Sequence, residues 1–359
     1  MTNGTPTNLY VPSDVHLGGS RTSASQLEVF SRCIQEGFLS YIAPHPGTPD
    51  SAGLRGRVVE APLMTGTGVH AGLHAYLLSG WRDGEDTGER DIIKAQSHAR
   101  SVLEAMRHTA STPEDFTKSE AETNSCLEKF DEMMVSGRLS PRRVAGDANG
   151  DPVLEREFAL PLADGRFIYI NKIDAMTVNP EGYHQVTEFK TSAASFAEDA
   201  IMGLGLIGQN LGHMKVIMGN WPNAPINGLL VYVLVKNRGG KSKLPAIYEQ
   251  EAIVSFDVVD NYFDHTVVPM LEGIVDRTQA WADLVSEGWD PYQAGLAHFP
   301  QTGIANKSCK RYRRPCPFAA YCEASGFGSK MLTGFRPRTV AGEAVKDDGP
   351  TDSMEGEMF

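Results

Sequence analysis

Asn171-Lys172-Ile173-Asp174 and, one turn later, Thr187-Glu188-Phe189-Lys190-Thr191-Ser192 form the stretch on which the fold turns. Both pieces lie in β-type sequence. Residues 153–160 and 166–176 alternate apolar and polar side chains with many β-branched residues, and Asp164-Gly165 between them suits a hairpin turn. A third strand, 184–190, follows the turn Asn179-Pro180-Glu181-Gly182. Downstream, 196–218 reads as a long helix. Residues 228–236 (GLLVYVLVK) are almost all apolar, the pattern of a strand covered on both faces, and 246–256 gives one more strand. Residues 257–287 form a helical stretch broken or bent at Pro269. Upstream, Leu27, Phe30, Ile34, Phe38 and Ile42 recur at spacings of three and four, so 25–42 predicts one amphipathic helix capped by Ser23 or Ser25. A Pro/Gly-rich loop spans 44–56, another helix starts near Thr67, and two polar helices are expected over 90–108 and 118–135. This order predicts an α/β core with a helical N-terminal addition.

Period-two alternation sets Glu188 and Lys190 on one face of their strand and Phe189 on the other, with Asp174 on the preceding strand. Two carboxylates offer the hard oxygen donors that Mg²⁺ or Mn²⁺ prefers. Such an ion polarises a phosphoryl oxygen and acidifies water, and a lysine beside it orients that water or stabilises the developing charge. The pattern points to phosphodiester hydrolysis. The same spacing also occurs in hairpins that hold only a surface ion pair.

Asp174, a turn and Glu188-Phe189-Lys190-Thr191-Ser192 together resemble the signature of the PD-(D/E)XK nuclease superfamily, in particular its RecB-like exonuclease branch. There the aspartate commonly sits in a G-x-I-D strand; Asn171-Lys172 departs from that pattern, where a glycine is common. The resemblance implies a restriction-endonuclease-like core, a mixed central sheet flanked by helices, with Asp174, Glu188 and Lys190 as catalytic residues. Gly68-Val69-His70 resembles the branch's G-x-x-H-type motif, which implies that His70, Asp174, Glu188 and the Phe189 backbone carbonyl hold the Mg²⁺ or Mn²⁺ ion. Gln209 resembles the first residue of a Q-x-x-x-Y motif and would contact DNA or the active-site carboxylates; His213 stands at the tyrosine position. The plainer reading of Gln209 is a polar edge beside the apolar stripe of Ile207, Leu211, Met214 and Met218. Either Glu155 or Glu157 stands where relatives carry a further acidic residue, and the sequence leaves both open, each also readable as a solvated strand residue. His74, one turn after His70, lacks the adjoining glutamate of an H-E-x-x-H zinc pair.

Cys309, Cys316 (followed by Pro317) and Cys322 crowd near the end of the chain, without the paired C-x2-4-C spacing of a zinc finger. Three clustered cysteines need a fourth ligand, and Cys33 is the natural candidate; Cys126 reads as a buried helical thiol. One early cysteine plus a late C-P triplet resembles AddB-type and CRISPR-associated RecB-like exonucleases, which implies a [4Fe–4S] cluster on Cys33, Cys309, Cys316 and Cys322. Zinc in the same place, or plain thiols, are the alternatives. Lys310, Arg311, Arg313 and Arg314 would then form a phosphate-binding loop between two cluster ligands, with Tyr312 and Tyr321 near enough to stack bases.

The 359 residues, 41% hydrophobic and 22% charged, describe an ordinary globular chain. No apolar run reaches membrane-spanning length, and residues 1–21 lack the basic start and apolar core of a signal peptide, so a cytoplasmic protein (host cytoplasm, if phage-encoded) is expected. A net charge of -12 counts against a general nucleic-acid coat but not against an enzyme that grips a strand locally. The expected organisation is a flexible arm at 1–22 and one nuclease domain at 23–335. Within that domain, 57–140 is helical, 150–256 is the catalytic core, and residue 33 with 309–322 closes the Fe–S segment. A disordered acidic tail follows at 336–359. Together these readings imply a metal-dependent DNA exonuclease acting on single strands or duplex ends in recombination, repair or replication, with proteins of those processes as partners. A catalytically silent DNA-binding adaptor of the same fold is the rival.

Overall fold

The computed structural model describes residues 21–44, 53–55, 61–193, 208–222, 224–236, 246–303, 309–311, 314–323, 332 and 335–337. In chain order the N-terminal part contains β1 (Arg21–Ser23), α1 (Ala24–Arg32), α2 (Ile34–Tyr41), β2 (Leu54–Arg55) and α3 (Ala61–Leu78). A small hairpin of β3 (Trp81–Arg82) and β4 (Glu85–Asp86) precedes α4 (Ile92–Ala105) and α5 (Pro113–Val135). Then come β5 (Arg143–Val144), β6 (Leu154–Leu162), β7 (Phe167–Val178), β8 (His184–Ala193), α6 (Gly208–Asn220), β9 (Ile226–Lys236) and β10 (Ile247–Ala252). The C-terminal part holds α7 (Phe256–Tyr262), α8 (Val268–Ser286), α9 (Pro291–His298), β11 (Lys310–Arg311), β12 (Arg314–Pro315), α10 (Ala319–Glu323) and β13 (Arg336–Pro337).

Seven of these strands make a mixed sheet ordered β1-β7-β8-β9-β10, with β6 and β5 paired along the other edge of β7. The β1–β7 and β8–β9 pairs are parallel; the others are antiparallel. Helices cover both faces. On one, α1, α2, α6, α7, α8 and α9 pack with Phe158, Tyr169, Ile173, Val186 and Leu229. On the other, α3, α4 and α5 pack with Leu154, Ala175, Phe189, Leu230 and Tyr232. β9 between the layers is buried throughout Leu229–Leu234, as its apolar sequence predicts. Phe189 stacks on Tyr232 at 5.6 Å and meets Phe130 of α5 edge-on at 5.9 Å, which pins the central strands to the helical layer.

Several boundaries differ from the sequence reading, each for a physical reason. The single helix expected over 25–42 is two helices: Cys33 between them is extended (φ -156°, ψ 115°), and the Ile34 N–H donates to Thr302 Oγ1 at 3.0 Å. Ser23 and Gln26 close a capping box at the start of α1. α3 begins at Ala61 rather than near Thr67; its interior glycines mark close packing, since a Cβ on Gly68 would lie 2.8 Å from Thr123 Oγ1 and one on Gly72 2.5 Å from Leu127. The break in the 257–287 helix is a π-turn at Phe263–Val267, just ahead of Pro269, whose ring nitrogen has no hydrogen to give the preceding turn. Arg21 and Thr22, assigned to the arm, pair with Ile168 and Tyr169, and Arg336–Pro337, assigned to the tail, pair with β2. The rest of the arm (1–20), the rest of the tail (338–359) and the first part of the 196–218 helix lie outside the described residues.

Candidate active site

The loop at 163–166 sets the register of the β6–β7 hairpin, with Leu162 opposite Phe167 and Arg156 opposite Ile173, so Glu155 and Asp174 fall opposite one another. On the other side of β7, the ladder to β8 runs from Val178–His184 to Ala175–Thr187, and the next rung would join Asp174 to Glu188. All three carboxylates therefore occupy one rung across three strands. At that rung both ladders open. Glu155 leaves its ladder because its backbone is left-handed (φ 47°), and β7 and β8 part beyond Ala175–Thr187. In the gap the Phe189 N–H donates to the side chain of Asp174, at 2.8 Å from Oδ2, in place of a backbone carbonyl.

His70 of α3 enters from the helical layer. Its Nδ1 stands 3.3 Å from Asp174 Oδ1 and 3.4 Å from Glu155 Oε1, and Lys172 Nζ pairs with the second oxygen of Glu155. From the opposite layer, α6 presents Gln209 and His213 one turn apart. Lys190 Nζ pairs with Glu188 Oε1 and also donates to Gln209 Oε1 at 2.9 Å, while Gln209 Nε2 donates to Glu188 Oε1 at 3.1 Å. His213, fully buried, places Nε2 3.0 Å from Glu188 Oε2, though neither atom has an aligned hydrogen-bond partner.

These contacts set the protonation landscape. Burial opposes a charge on His70, but the hydrogen bonds it donates to Asp174 and then Glu155 outweigh it and lift its pKa from 6.5 to about 10. Burial and the neighbouring Glu188 charge push Asp174 up. Glu188 moves the other way: burial would raise it, but His213 and Lys190 hold it well below the usual carboxylate range.

The donor set suits a divalent cation. Among the described residues, His70, Glu155 and Asp174 alone put three ligand atoms within 4.8 Å of one another. Two hard carboxylate oxygens with one borderline imidazole nitrogen are donors that divalent metal ions accept. Glu188 Oε2, buried without a hydrogen-bond partner, is the kind of acceptor that a cation would satisfy. A comparison with protein-family models matches residues 21–323 to the PD-(D/E)XK nuclease superfamily. The chain belongs to that superfamily. A comparison with curated proteins gave no match.

In this PD-(D/E)XK protein the structure brings together Asp174, Glu188, Lys190, Gln209 and His70, and it chooses Glu155 over Glu157, which faces Lys172 nearer the exposed end of the hairpin. Gln209 turns inward, bridging Glu188 and Lys190. The role of Lys172 escaped the sequence reading, because no periodic signal assigns it to Glu155. His213 stands at the motif's tyrosine position, but nothing in the sequence says that it is buried. Glu155 was within reach, because counting back from the Asp164-Gly165 turn places it opposite Asp174.

The four cysteines at 33, 309, 316 and 322 line one cavity, together with Glu36, Gln301, Phe318 and Ala319. Burial, with the neighbouring acidic groups and thiols adding, pushes Cys316 up to about 11 and Cys322 up to about 12. Cys126 is a buried helical thiol of α5, pushed up to about 12 by desolvation. Lys310–Arg311 and Arg314–Pro315 pair as a hairpin that the Cys316 N–H closes on the Cys309 carbonyl at 2.7 Å; Tyr312 and Arg313 lie outside the described residues. Tyr321 corrects the sequence reading. It is 1% exposed, packed on Tyr292, and belongs to the core rather than to a base-stacking surface. No helix of the described residues is long and apolar enough to cross a membrane.

Proposed function

We propose that this protein is a Mg²⁺- or Mn²⁺-dependent DNA exonuclease of the RecB-like branch, with a [4Fe–4S] cluster on Cys33, Cys309, Cys316 and Cys322. The observation that carries the reading is the single rung of Glu155, Asp174 and Glu188, opened at both ladders, with His70 above one end and Lys190 at the other. His70, Glu155 and Asp174 would hold the ion, with Glu188 and the Phe189 carbonyl completing the set. The ion supplies Lewis-acid stabilisation of phosphoryl charge. Lys190, steadied by Gln209 and Glu188, positions the attacking water and meets the negative charge that develops on the phosphate. Gln209 and His213 hold Glu188 between them, so that Lys190 keeps its place.

The one cavity lined by all four thiols supports the cluster, whose iron suits soft thiolate ligands. Lys310, Arg311 and Arg314 belong to the hairpin between two of those cysteines, and with Tyr312 and Arg313, which follow Arg311 in the sequence, they would make a natural grip on a phosphate backbone. The work that fits is end processing in recombination, repair or replication within the cytoplasm. Anaerobically purified protein should degrade end-labelled DNA with Mn²⁺ and not with EDTA, and Lys190→Ala should reduce turnover roughly 100- to 1000-fold. Single- and double-stranded substrates side by side would give the strand preference. Intact DNA in every lane, with the cluster present, would overturn the proposal in favour of an adaptor.

A further inference from the structure

We infer that Lys172 is a phosphate-binding residue of this site, tethered by a carboxylate that it shares with the metal ion. The inference rests on the nuclease reading and deepens it. Lys172 lies two residues before Asp174, which period-two alternation sets on the same face of β7. Its Nζ pairs with Glu155 Oε2, while Glu155 Oε1 turns inward to His70 Nδ1 at 3.4 Å. One carboxylate thus faces both ways, one oxygen in the ion's donor set and the other on an ammonium group.

Exposure orders these groups from inside to mouth. The side chain of Asp174 is 11% exposed, that of Glu155 19% and that of Lys172 56%. The other cations of the site are spent inward, Lys190 on Glu188 and Gln209, and His70 on Asp174 and Glu155. Among the described residues of the site, Lys172 is the cation most exposed to an arriving strand. An ammonium is a point charge with three donors, suited to a phosphate oxygen from several directions. On a chain of net charge -12, such local cations are what admits a polyanion.

The shared carboxylate has a consequence of fixed sign. An ion on Glu155 draws charge away from Lys172 and frees the ammonium for phosphate; conversely, the ammonium weakens the ion's hold, and by linkage the two effects are reciprocal. Lys172→Met keeps the stem and removes the charge. Mn²⁺ titration calorimetry should then show severalfold tighter binding. Anisotropy of a labelled single-stranded oligonucleotide, measured with Ca²⁺ in a Lys190→Ala background to prevent cleavage, should show weaker binding. The dependence of log affinity on log salt should flatten by about 0.7, the loss of one single-strand phosphate contact. Lys172→Arg should retain both properties. A salt slope unchanged in Lys172→Met overturns the inference, and weaker Mn²⁺ binding beside it would make Lys172 a brace for Glu155. Absence of DNA binding by the Lys190→Ala parent would instead overturn the nuclease reading beneath it.

Discussion

Glu155, the second residue of β6, adopts a left-handed backbone (φ 47°), a conformation that costs a β-carbon-bearing residue on the order of 1–3 kcal/mol. It does so on the rung where Asp174 and Glu188 stand, and the twist takes its carboxylate out of the ladder to His70 and Lys172. Glu157, two residues on, keeps its ladder place opposite Lys172. The two glutamates should therefore respond differently to removal of their charge. Glu155→Gln is expected to weaken Mn²⁺ binding at least tenfold, the order seen when a group orienting a metal site is lost, about 10- to 100-fold. Glu157→Gln should leave it within about twofold, and calorimetric titration of the two variants decides. The choice between them was half legible. Turn chemistry at Asp164-Gly165 fixes the register and so finds Glu155, but no pattern of residue types foretells that a glutamate will leave its ladder. Tyr321 failed for a related reason: an aromatic next to basic residues reads the same whether it faces solvent or, as here, fills the core.

Asp86 ties three short elements together. Its carboxylate takes both guanidinium nitrogens of Arg90 at 2.7 Å, the Gly88 N–H at 2.9 Å and the Val144 N–H at 2.6 Å, which joins the β3–β4 hairpin to β5 and the entrance of α4. The side chains of the pair are 1% and 7% exposed. Burial alone would raise the Asp86 pKa, but Arg90 and the two backbone donors outweigh it, so the folded value lies below the unfolded one. A depressed carboxylate contributes stability above its unfolded pKa of about 3.9, and that contribution is lost as pH falls through the folded value. Asp86→Asn leaves Arg90 buried without its partner and should cost about 3–5 kcal/mol at neutral pH. Urea unfolding across pH should show that deficit constant above about pH 5 and shrinking below about pH 4, where the parent loses the same charge. Elements of this size were invisible in the sequence, because a two-residue strand has no period to read. The long ones, β7 with twelve residues and β9 with eleven, were found almost to their ends. The helix breaks at Cys33 and at Phe263–Val267 lie between, since the heptad-like apolar spacing continues across each while the backbone does not.

At the scale of the molecule, two helical layers grip one sheet, and the chain's distant parts meet at the cysteine cavity, where the α1–α2 junction faces the segment carrying Cys309, Cys316 and Cys322. The sequence suggested this meeting by arithmetic, three clustered cysteines wanting a fourth, and by family resemblance, and the extended Cys33 between two helices gives it a geometry. If one group binds all four thiolates, it closes a loop containing every strand of the sheet but β1 and every helix of the two layers but α1. Closing a loop of that length stabilises a chain on the order of 3–5 kcal/mol, whichever ligand is counted. The four positions should then fail as a unit. Cys33→Ser and Cys322→Ser are each expected to lose the brown colour of an iron–sulfur protein and about 3 kcal/mol of stability, and the double variant should lose little more than either alone. Ordinary thiols filling the same cavity would behave otherwise: each serine would cost its own small packing loss, and the two losses would add. Anaerobic denaturation of the parent, both single variants and the double variant measures the coupling directly. A coupling energy near zero would remove the cluster from this fold while leaving the nuclease rung untouched, since Asp174, Glu188 and Lys190 are positioned by β7, β8 and α6 and not by the cysteine cavity.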